Sequence, residues 1–266
     1  MITQIHMAKS AFFAFERKMQ VVANNIANAQ TPGYKKRRVE MESLFPLITE
    51  KSYSEFEDSV PSGKKRRSYI EYGQGVRING MSKDFSTGTI EVTNQPLDFA
   101  IEGKGFFQIR MADGTFGYSR AGNFHMDAEG NVLDAGGRPV EPALKIPRNV
   151  NEIIVNEEGR VYVRTNNEAQ PSEIGQIMLA HFPNQEGLKD VGANLFQETI
   201  ASGEPEYTVP GKNGVGYVKQ RALEFSNVNI VEEMMAMLLT QRAFELVTKT
   251  INSSDSMLKV ASDIAK

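Results

Sequence analysis

The sequence predicts an α+β chain: paired N- and C-terminal coiled-coil helices around a β-rich middle domain. Two heptad seams, one near each terminus, predict the helices. Between them, short apolar runs alternating with glycine turns predict the sheets.

Ile5, Ala8, Phe12, Phe15, Met19, Val22, Ile26 and Ala29 follow one another at alternating spacings of three and four. That spacing keeps one stripe facing a partner helix along its whole length. Thr31-Pro32-Gly33 then stops it, because proline cannot continue the hydrogen-bond ladder and glycine permits a reversal.

At the other end, Asn229 followed by Glu232 reads as a variant of the capping box. Ile230, Met234, Met237, Gln241, Phe244, Thr248, Ile251, Asp255 and Leu258 repeat the alternation. Polar seam residues such as Gln241, Thr248 and Asp255 weaken a coiled coil but can set its register.

Neither helix has a convincing solvent face. The first adds Met7, Phe13, Ala14, Val21 and Ala27 outside its seam, with uncharged Asn24, Asn25 and Asn28. The last adds Val231, Met235, Leu238, Leu239, Ala243, Leu246 and Val247. A helix apolar nearly all round is buried nearly all round, so neighbouring subunits are expected to cover these faces. The isolated ends are accordingly expected to be poorly ordered. An ordinary helical layer packed on a sheet is the plainer alternative.

The middle carries short runs at Thr89–Val92, Leu97–Ile101, Phe106–Arg110, Ile153–Val155, Val161–Val163 and Gln176–Phe182. Asp113-Gly114, Asp127-Ala-Glu-Gly130 and Asn156-Glu-Glu-Gly159 each offer a side-chain acceptor early and a glycine late, which is turn chemistry. Residues 32–72 are least regular and read as an extended linker or hairpin. Lys35-Lys36-Arg37-Arg38 and Lys64-Lys65-Arg66-Arg67 bracket an acidic stretch at Glu50, Glu55, Glu57 and Asp58. Each basic run reads as a solvated face, or as a partner for acidic groups on a neighbouring chain.

The chain of 266 residues is 40% hydrophobic and 24% charged, and its net charge of −3 argues against nucleic acid as a partner. It has no cysteine, hence no disulfide or thiolate chemistry. No apolar run approaches the ~20 residues that cross a bilayer, so no direct membrane insertion is expected. Lys9, Glu16, Arg17 and Lys18 interrupt any secretory h-region, and a cleaved signal is not expected.

Catalytic chemistry finds no support. His6, His125 and His181 lack metal-ligand spacing. Ser119, Ser202 and Ser226 lie in no nucleophile elbow. Gly73-Gln-Gly75 and Gly63-Lys64 fall short of nucleotide fingerprints. Asp98 with Glu102 is not a glycosidase pair on spacing alone. The expectation is no enzyme, no cofactor and no metal.

Four stretches then carry a resemblance. Ala23-Asn-Asn-Ile-Ala-Asn-Ala-Gln-Thr-Pro-Gly-Tyr34-Lys35 is similar to the N-terminal signature of the rod and hook axial proteins of the bacterial flagellum. Ser226-Asn-Val-Asn-Ile-Val-Glu-Glu-Met234 with Thr240-Gln-Arg-Ala-Phe-Glu245 resembles their C-terminal signature. Pro96-Leu-Asp-Phe-Ala-Ile-Glu-Gly-Lys-Gly-Phe-Phe107 and Tyr118-Ser-Arg-Ala-Gly-Asn-Phe124 resemble their central β segment. Length, Gly192-Ala-Asn-Leu-Phe196 and Pro210-Gly-Lys-Asn-Gly214 point to the distal-rod branch, with a proximal rod subunit as the rival.

The resemblance implies a self-assembling helical homo-oligomer in the basal body, with the rod spanning the periplasm. Its implied partners are proximal rod subunits, hook protein, surrounding ring proteins and the flagellar type III export apparatus. The implied division is a helical inner-tube part (1–31 plus 227–266), a linker or hairpin (32–72) and a β-rich outer part (73–226). The expected subunit interface comprises Ile5, Phe12, Phe15, Met19, Val22, Asn24, Asn25, Ile26, Asn28, Ile230, Met234, Met237, Leu238, Gln241, Phe244, Thr248, Ile251 and Leu258. The three asparagines belong there because a mid-helix amide needs a hydrogen-bond partner, here expected across subunits. A monomeric envelope adhesin with a helical stalk is the competing class. It differs in requiring fully folded helices in the dilute monomer.

Overall fold

In the computed structural model, residues 2–51, 68–165 and 170–264 are described. The charged stretch 52–67, including Lys64–Arg67, lies outside them. The chain divides into two compact units. One comprises Met1–Ala23, Arg38–Ser82 and Val231–Lys266, the other Asn24–Arg37 and Lys83–Ile230.

The first unit holds most of two helices, α1 (Ile2–Ala27) and α2 (Ile230–Ile264). The rings of Phe12 and Phe244 meet at 4.6 Å. Beyond that contact, Met7, Ala8 and Ala11 of α1 face Leu246, Val247, Thr250 and Met257 of α2 across an open groove of about 820 Å³. Falling numbers on α1 therefore run beside rising numbers on α2, and the two helices are antiparallel. Thr240 and Thr248 donate their hydroxyls to the carbonyls of Ala236 and Phe244, four residues back on their own helix. The polarity of the seam at Thr248 is thus satisfied locally. At the end of α1, Ala29 N–H bonds to Ile26 O and Asn28 N–H is shared between Asn24 O and Asn25 O. The helix ends at Ala27 in a tightened turn, so Ala29, expected on the seam, lies past it.

The same unit contains most of a two-stranded ribbon. Arg37–Ser43 pairs with Val76–Lys83, and Leu47–Lys51 pairs with Ser68–Tyr72. Within 32–72, Leu47–Lys51 and Ser68–Tyr72 form an antiparallel pair. Val76 N–H donates to Ser10 Oγ on α1 at 3.3 Å. The ribbon exposes Phe45, Leu47, Ile48 and Tyr72.

The second unit carries the end of α1 and is otherwise built on strands, whose described pairings are antiparallel. Its largest sheet runs in the order Val140–Glu141, Phe107–Arg110, Phe116–Ser119, Leu195–Gln197, Lys189–Gly192. A three-stranded sheet joins Val150–Val155, Arg160–Thr165 and Ser172–Gln176. Smaller ladders pair Tyr217–Gln220 with Phe99–Glu102, and Ala222–Glu224 with Ile90–Val92. In the run expected over 176–182, the strand is Leu179–His181, paired with Glu206–Thr208, while Gln176 ends the preceding strand Ser172–Gln176.

Two hydrophobic clusters fill this unit, and the dipeptide Phe106-Phe107 feeds both. Phe106 packs with Tyr118, Phe182 and Phe196, while Phe107 packs with Phe99, Phe124 and Val218. Successive residues of a strand point to opposite faces, so adjacent aromatics serve separate cores. Asp127 shows the expected turn chemistry: its Oδ1 accepts from Glu129 N–H and Asn131 N–H.

Candidate functional site: the junction of the two chain ends

The turn that follows α1 and the strand that precedes α2 meet inside the second unit. Gly33 has φ +69°, and a Cβ there would lie 2.3 Å from Ala121 N. Only glycine allows so close an approach, which lets Gly33 N–H reach Glu224 O at 2.8 Å. Next in sequence, the buried Tyr34 sets its hydroxyl between Asn24 Oδ1 and Asn25 Oδ1, at 2.9 and 3.1 Å. Asn25 Nδ2 donates to Arg37 O and Asn25 Oδ1 accepts from Arg37 N–H, closing a two-bond ring. Lys36 N–H donates to Asn227 Oδ1, and Asn227 Nδ2 donates to Asp84 O.

At the centre is a buried ion cluster. Lys35 Nζ lies 2.7 Å from Glu224 Oε1 and donates also to Ser86 O at 2.6 Å. Arg120 Nε lies 3.0 Å from Glu224 Oε2, while its Nη1 and Nη2 donate to Gly105 O and Gly103 O, both at 2.7 Å. Gly88 N–H also donates to Glu224 Oε1. The side chains of Lys35 and Glu224 are fully buried and that of Arg120 is 3% exposed. Two cations share one carboxylate. Burial pulls the Lys35 ammonium below the usual lysine range; Glu224 opposes that shift and Arg120 reinforces it. Burial likewise pulls Arg120 down against the attraction of Glu224. Four backbone groups hold the cluster, so each ion is solvated by the fold in place of water.

A second charge group lies nearby in the same unit. Arg37 Nη2 and Lys83 Nζ both bond Asp190 Oδ2, the latter at 2.6 Å, and Lys83 sits 4.4 Å from the centre of the Phe196 ring. Burial works to raise the Asp190 pKa, but the Lys83 hydrogen bond, Gly192 N–H and the two cations outweigh it and lower the value.

These contacts correct two expectations. Lys35-Lys36-Arg37-Arg38 is not a solvated face, since Lys35 is buried on an acid of its own chain and Arg37 is held by Asp190. Asn25 is 1% exposed and spends its amide on Arg37 and Tyr34, so it is not available to another subunit. Asn28 Nδ2 bonds Asn24 O on its own helix, which satisfies that amide locally. The remaining candidates divide by exposure. Val22 is buried; Ile5, Phe12, Phe15, Met19, Ile26, Met237, Phe244, Thr248 and Ile251 are half-buried. Asn24, Ile230, Met234, Leu238 and Gln241 are exposed, and the side chain of Leu258 lies outside the described residues.

Sequence reasoning missed Arg120 and Glu224. A usable signal existed for both: Glu224 interrupts the apolar run Ala222-Leu223-Glu224-Phe225, and Arg120 follows a strand that opens Phe116-Gly117-Tyr118. A charge inside an apolar strand is buried only when paired.

Three family models match the chain. Residues 5–35 match the flagella basal body rod protein model, 100–163 the flagellar hook protein FlgE/F/G D1 domain, and 219–264 the flagellar basal body rod FlgEFG protein C-terminal model. The rod protein FlgG of Buchnera aphidicola subsp. Schizaphis graminum is 38% identical over 266 residues, covering 99% of this chain and all of the relative. The FlgG proteins of Caulobacter vibrioides and Borreliella burgdorferi are 36% and 35% identical, covering 98% and 100% of this chain and the same share of each relative. The chain belongs to the flagellar basal-body rod protein FlgG family. The hook protein FlgE2 of Helicobacter pylori also matches, over 71% of this chain and 43% of that one, at 14% identity and a TM-score of 0.24, too loosely for structural argument.

Each segment matched to the rod and hook family supplies one member of the buried cluster: Lys35, Arg120 and Glu224. The FlgG-type chain thus joins its N-terminal, central and C-terminal parts at a single carboxylate.

Proposed function

We propose that this chain is a distal-rod subunit of the flagellar basal body, which self-assembles into a hollow helical tube and transmits torque from motor to hook. Its role is structural and it catalyses nothing. Family membership supports the rod assignment. The observation that carries the assembly mechanism is the apolar surface of α2. Val231, Met234, Met235, Leu238, Leu239 and Leu246 are all at least half exposed, and Met257, Val260 and Ile264 extend that surface. Contiguous apolar area of this kind marks an interaction surface.

In this reading, α1 and α2 pair as a coiled coil, and copies related by rotation and rise cover each other's outer faces. Such heterologous contacts do not close on themselves and extend as a tube. Burial of the helix faces offsets the entropy of ordering them. The interface draws on Ile5, Phe12, Phe15, Met19, Val22, Asn24, Ile26, Asn28, Ile230, Met234, Met237, Leu238, Gln241, Phe244, Thr248, Ile251 and Leu258, with Asn25 removed. Residues 1–31 and 227–266 build the inner tube, 73–226 the outer part, and 32–72 links them. Proximal rod subunits, hook protein and ring proteins are the neighbours, and the flagellar type III apparatus delivers the chain to a rod that spans the periplasm.

Electron microscopy of basal bodies from a clean deletion tests this. The expected product is a rod that stops short, with its proximal part present and no hook. Basal bodies without any rod would move the chain to a proximal position, and intact flagella would overturn the proposal.

A further inference from the structure

The charge group at Asp190 borders a polar slot of about 150 Å³. Liquid water occupies about 30 Å³ per molecule, so the slot, with room for about five waters, admits a side-chain carboxylate. Its walls include Lys35, Arg37 and Lys83 but, among the described residues, one acid, Asp190. That acid is already engaged through both oxygens. Both cations fall on Oδ2, and Oδ1 accepts Gly192 N–H at 2.9 Å. Lys35 spends its ammonium on Glu224, whose charge it shares with Arg120. The lining therefore carries an uncompensated positive charge.

One donor is also left over. Arg37 Nε is buried and has no hydrogen-bond partner. A buried N–H without an acceptor is costly, and the Arg37 side chain, 36% exposed overall, can turn so that an anion in the slot satisfies it. Asn24 stands exposed at the rim and lends a carboxamide. Burial has meanwhile drawn Lys83 below the ordinary lysine range, against the pull of Asp190. A carboxylate entering the slot would offset that desolvation with opposite charge, as Asp190 does in part.

We infer that this slot accepts the carboxylate of an aspartate or glutamate presented by a second copy of the chain. Charge complementarity selects the occupant. The chain as a whole is acidic, at −3, so copies meet this cationic slot with an excess of carboxylates. The inference rests on the assembly reading above and gives it a polar, orientation-setting contact beside the apolar helix faces.

The test has two arms on the full-length chain. In the dilute monomer, the Arg37 Nε–H resonance is followed while sodium acetate replaces sodium chloride at constant ionic strength. The expected result is a saturable shift at Arg37 and none at Arg148, an exposed arginine outside the slot lining; parallel, non-saturating behaviour of both would overturn the site. This arm does not depend on rod formation.

In the second arm, sedimentation gives the concentration at which the chain associates. Arg37→Gln is expected to raise it at least about tenfold, as loss of a buried interfacial charge contact does. Asn24→Asp, which leaves the Asp190 group intact and keeps the acceptor for Tyr34, is expected to raise it too, by repelling the incoming carboxylate. Arg148→Gln is expected to leave it unchanged. Saturable acetate binding with unaltered association of both slot variants would make the ligand a free anion and overturn the second-copy assignment. No association of the parent chain at any concentration would count against the rod reading, while the acetate arm still decides the slot.

Discussion

The ammonium of Lys35 and the carboxylate of Glu224 stand 2.7 Å apart, both fully buried, although 189 positions separate them in sequence. With Arg120 on the other carboxylate oxygen, the cluster has one more cation than anion. This asymmetry ranks the effects of substitution. Glu224→Gln strands two buried cations and is expected to cost about 3–5 kcal/mol of unfolding free energy. Lys35→Met leaves a balanced Arg120–Glu224 pair and fills the same channel with apolar atoms. Its expected effect is within about 1 kcal/mol of zero. Urea unfolding followed by far-ultraviolet circular dichroism measures both. Equal losses from the two substitutions would show that the cluster is not charge-asymmetric in the way its geometry requires.

Gly33 is the second point at which the junction tolerates no change. Alanine at φ +69° takes on left-handed strain, and its methyl would overlap Ala121 N at 2.3 Å. The expected cost of Gly33→Ala is about 2 kcal/mol or more. Gly114→Ala makes the control, because a Cβ there meets nothing within 4 Å at φ +82°. Strain alone predicts equal losses for the two; the close approach predicts a larger one at Gly33.

How much of this was legible in the sequence depended on the range of the interaction. The helices were, because heptad spacing is local and Pro32-Gly33 is a local stop. Turn chemistry at Asp127 was legible for the same reason. The junction was not. Lys35 sits in a run of four basic residues that reads as solvated, and nothing in that run separates the buried lysine from the exposed Arg38. Its partner is one acid among 33. Asn25 was expected to find its partner across subunits, and spacing could not say that the partner was Arg37, twelve residues on. The break between Ser172–Gln176 and Leu179–His181 was invisible because the strands part only to meet different neighbours.

Tyr118 links the β core to alkaline stability. Its ring is 1% exposed, and its hydroxyl lies 3.0 Å from the Tyr207 hydroxyl and near Glu198. Burial, then Tyr207 and Glu198, push its pKa well above the ordinary tyrosine value. A group whose pKa is raised on folding contributes stability that is complete below the unfolded value and lost as pH rises towards the folded one. For tyrosine the loss begins near pH ~10 and steepens towards ~1.4 kcal/mol per pH unit. Tyr118→Phe is expected to cost about 1 kcal/mol at neutral pH through the lost hydrogen bond. It should also flatten the decline above pH 10. Denaturation midpoints from pH 8 to 11 compare the two proteins; parallel curves would remove Tyr118 as the cause.

Leu238 separates assembly from folding. Its side chain is 55% exposed on α2, between the similarly exposed Met235 and Leu239. Within the monomer little is lost on changing it, and Leu238→Asp is expected to alter unfolding free energy by no more than about 0.5 kcal/mol. Between copies the same change places a carboxylate on an apolar surface, and an unpaired charge buried there costs several kcal/mol. Assembly by the helix faces thus predicts a protein that folds normally, circulates as a monomer and forms no filament in electron micrographs. Normal polymerisation of Leu238→Asp would mean that this face of α2 looks into the solvent of the assembled rod, and the burden of assembly would shift to the ribbon and the β unit.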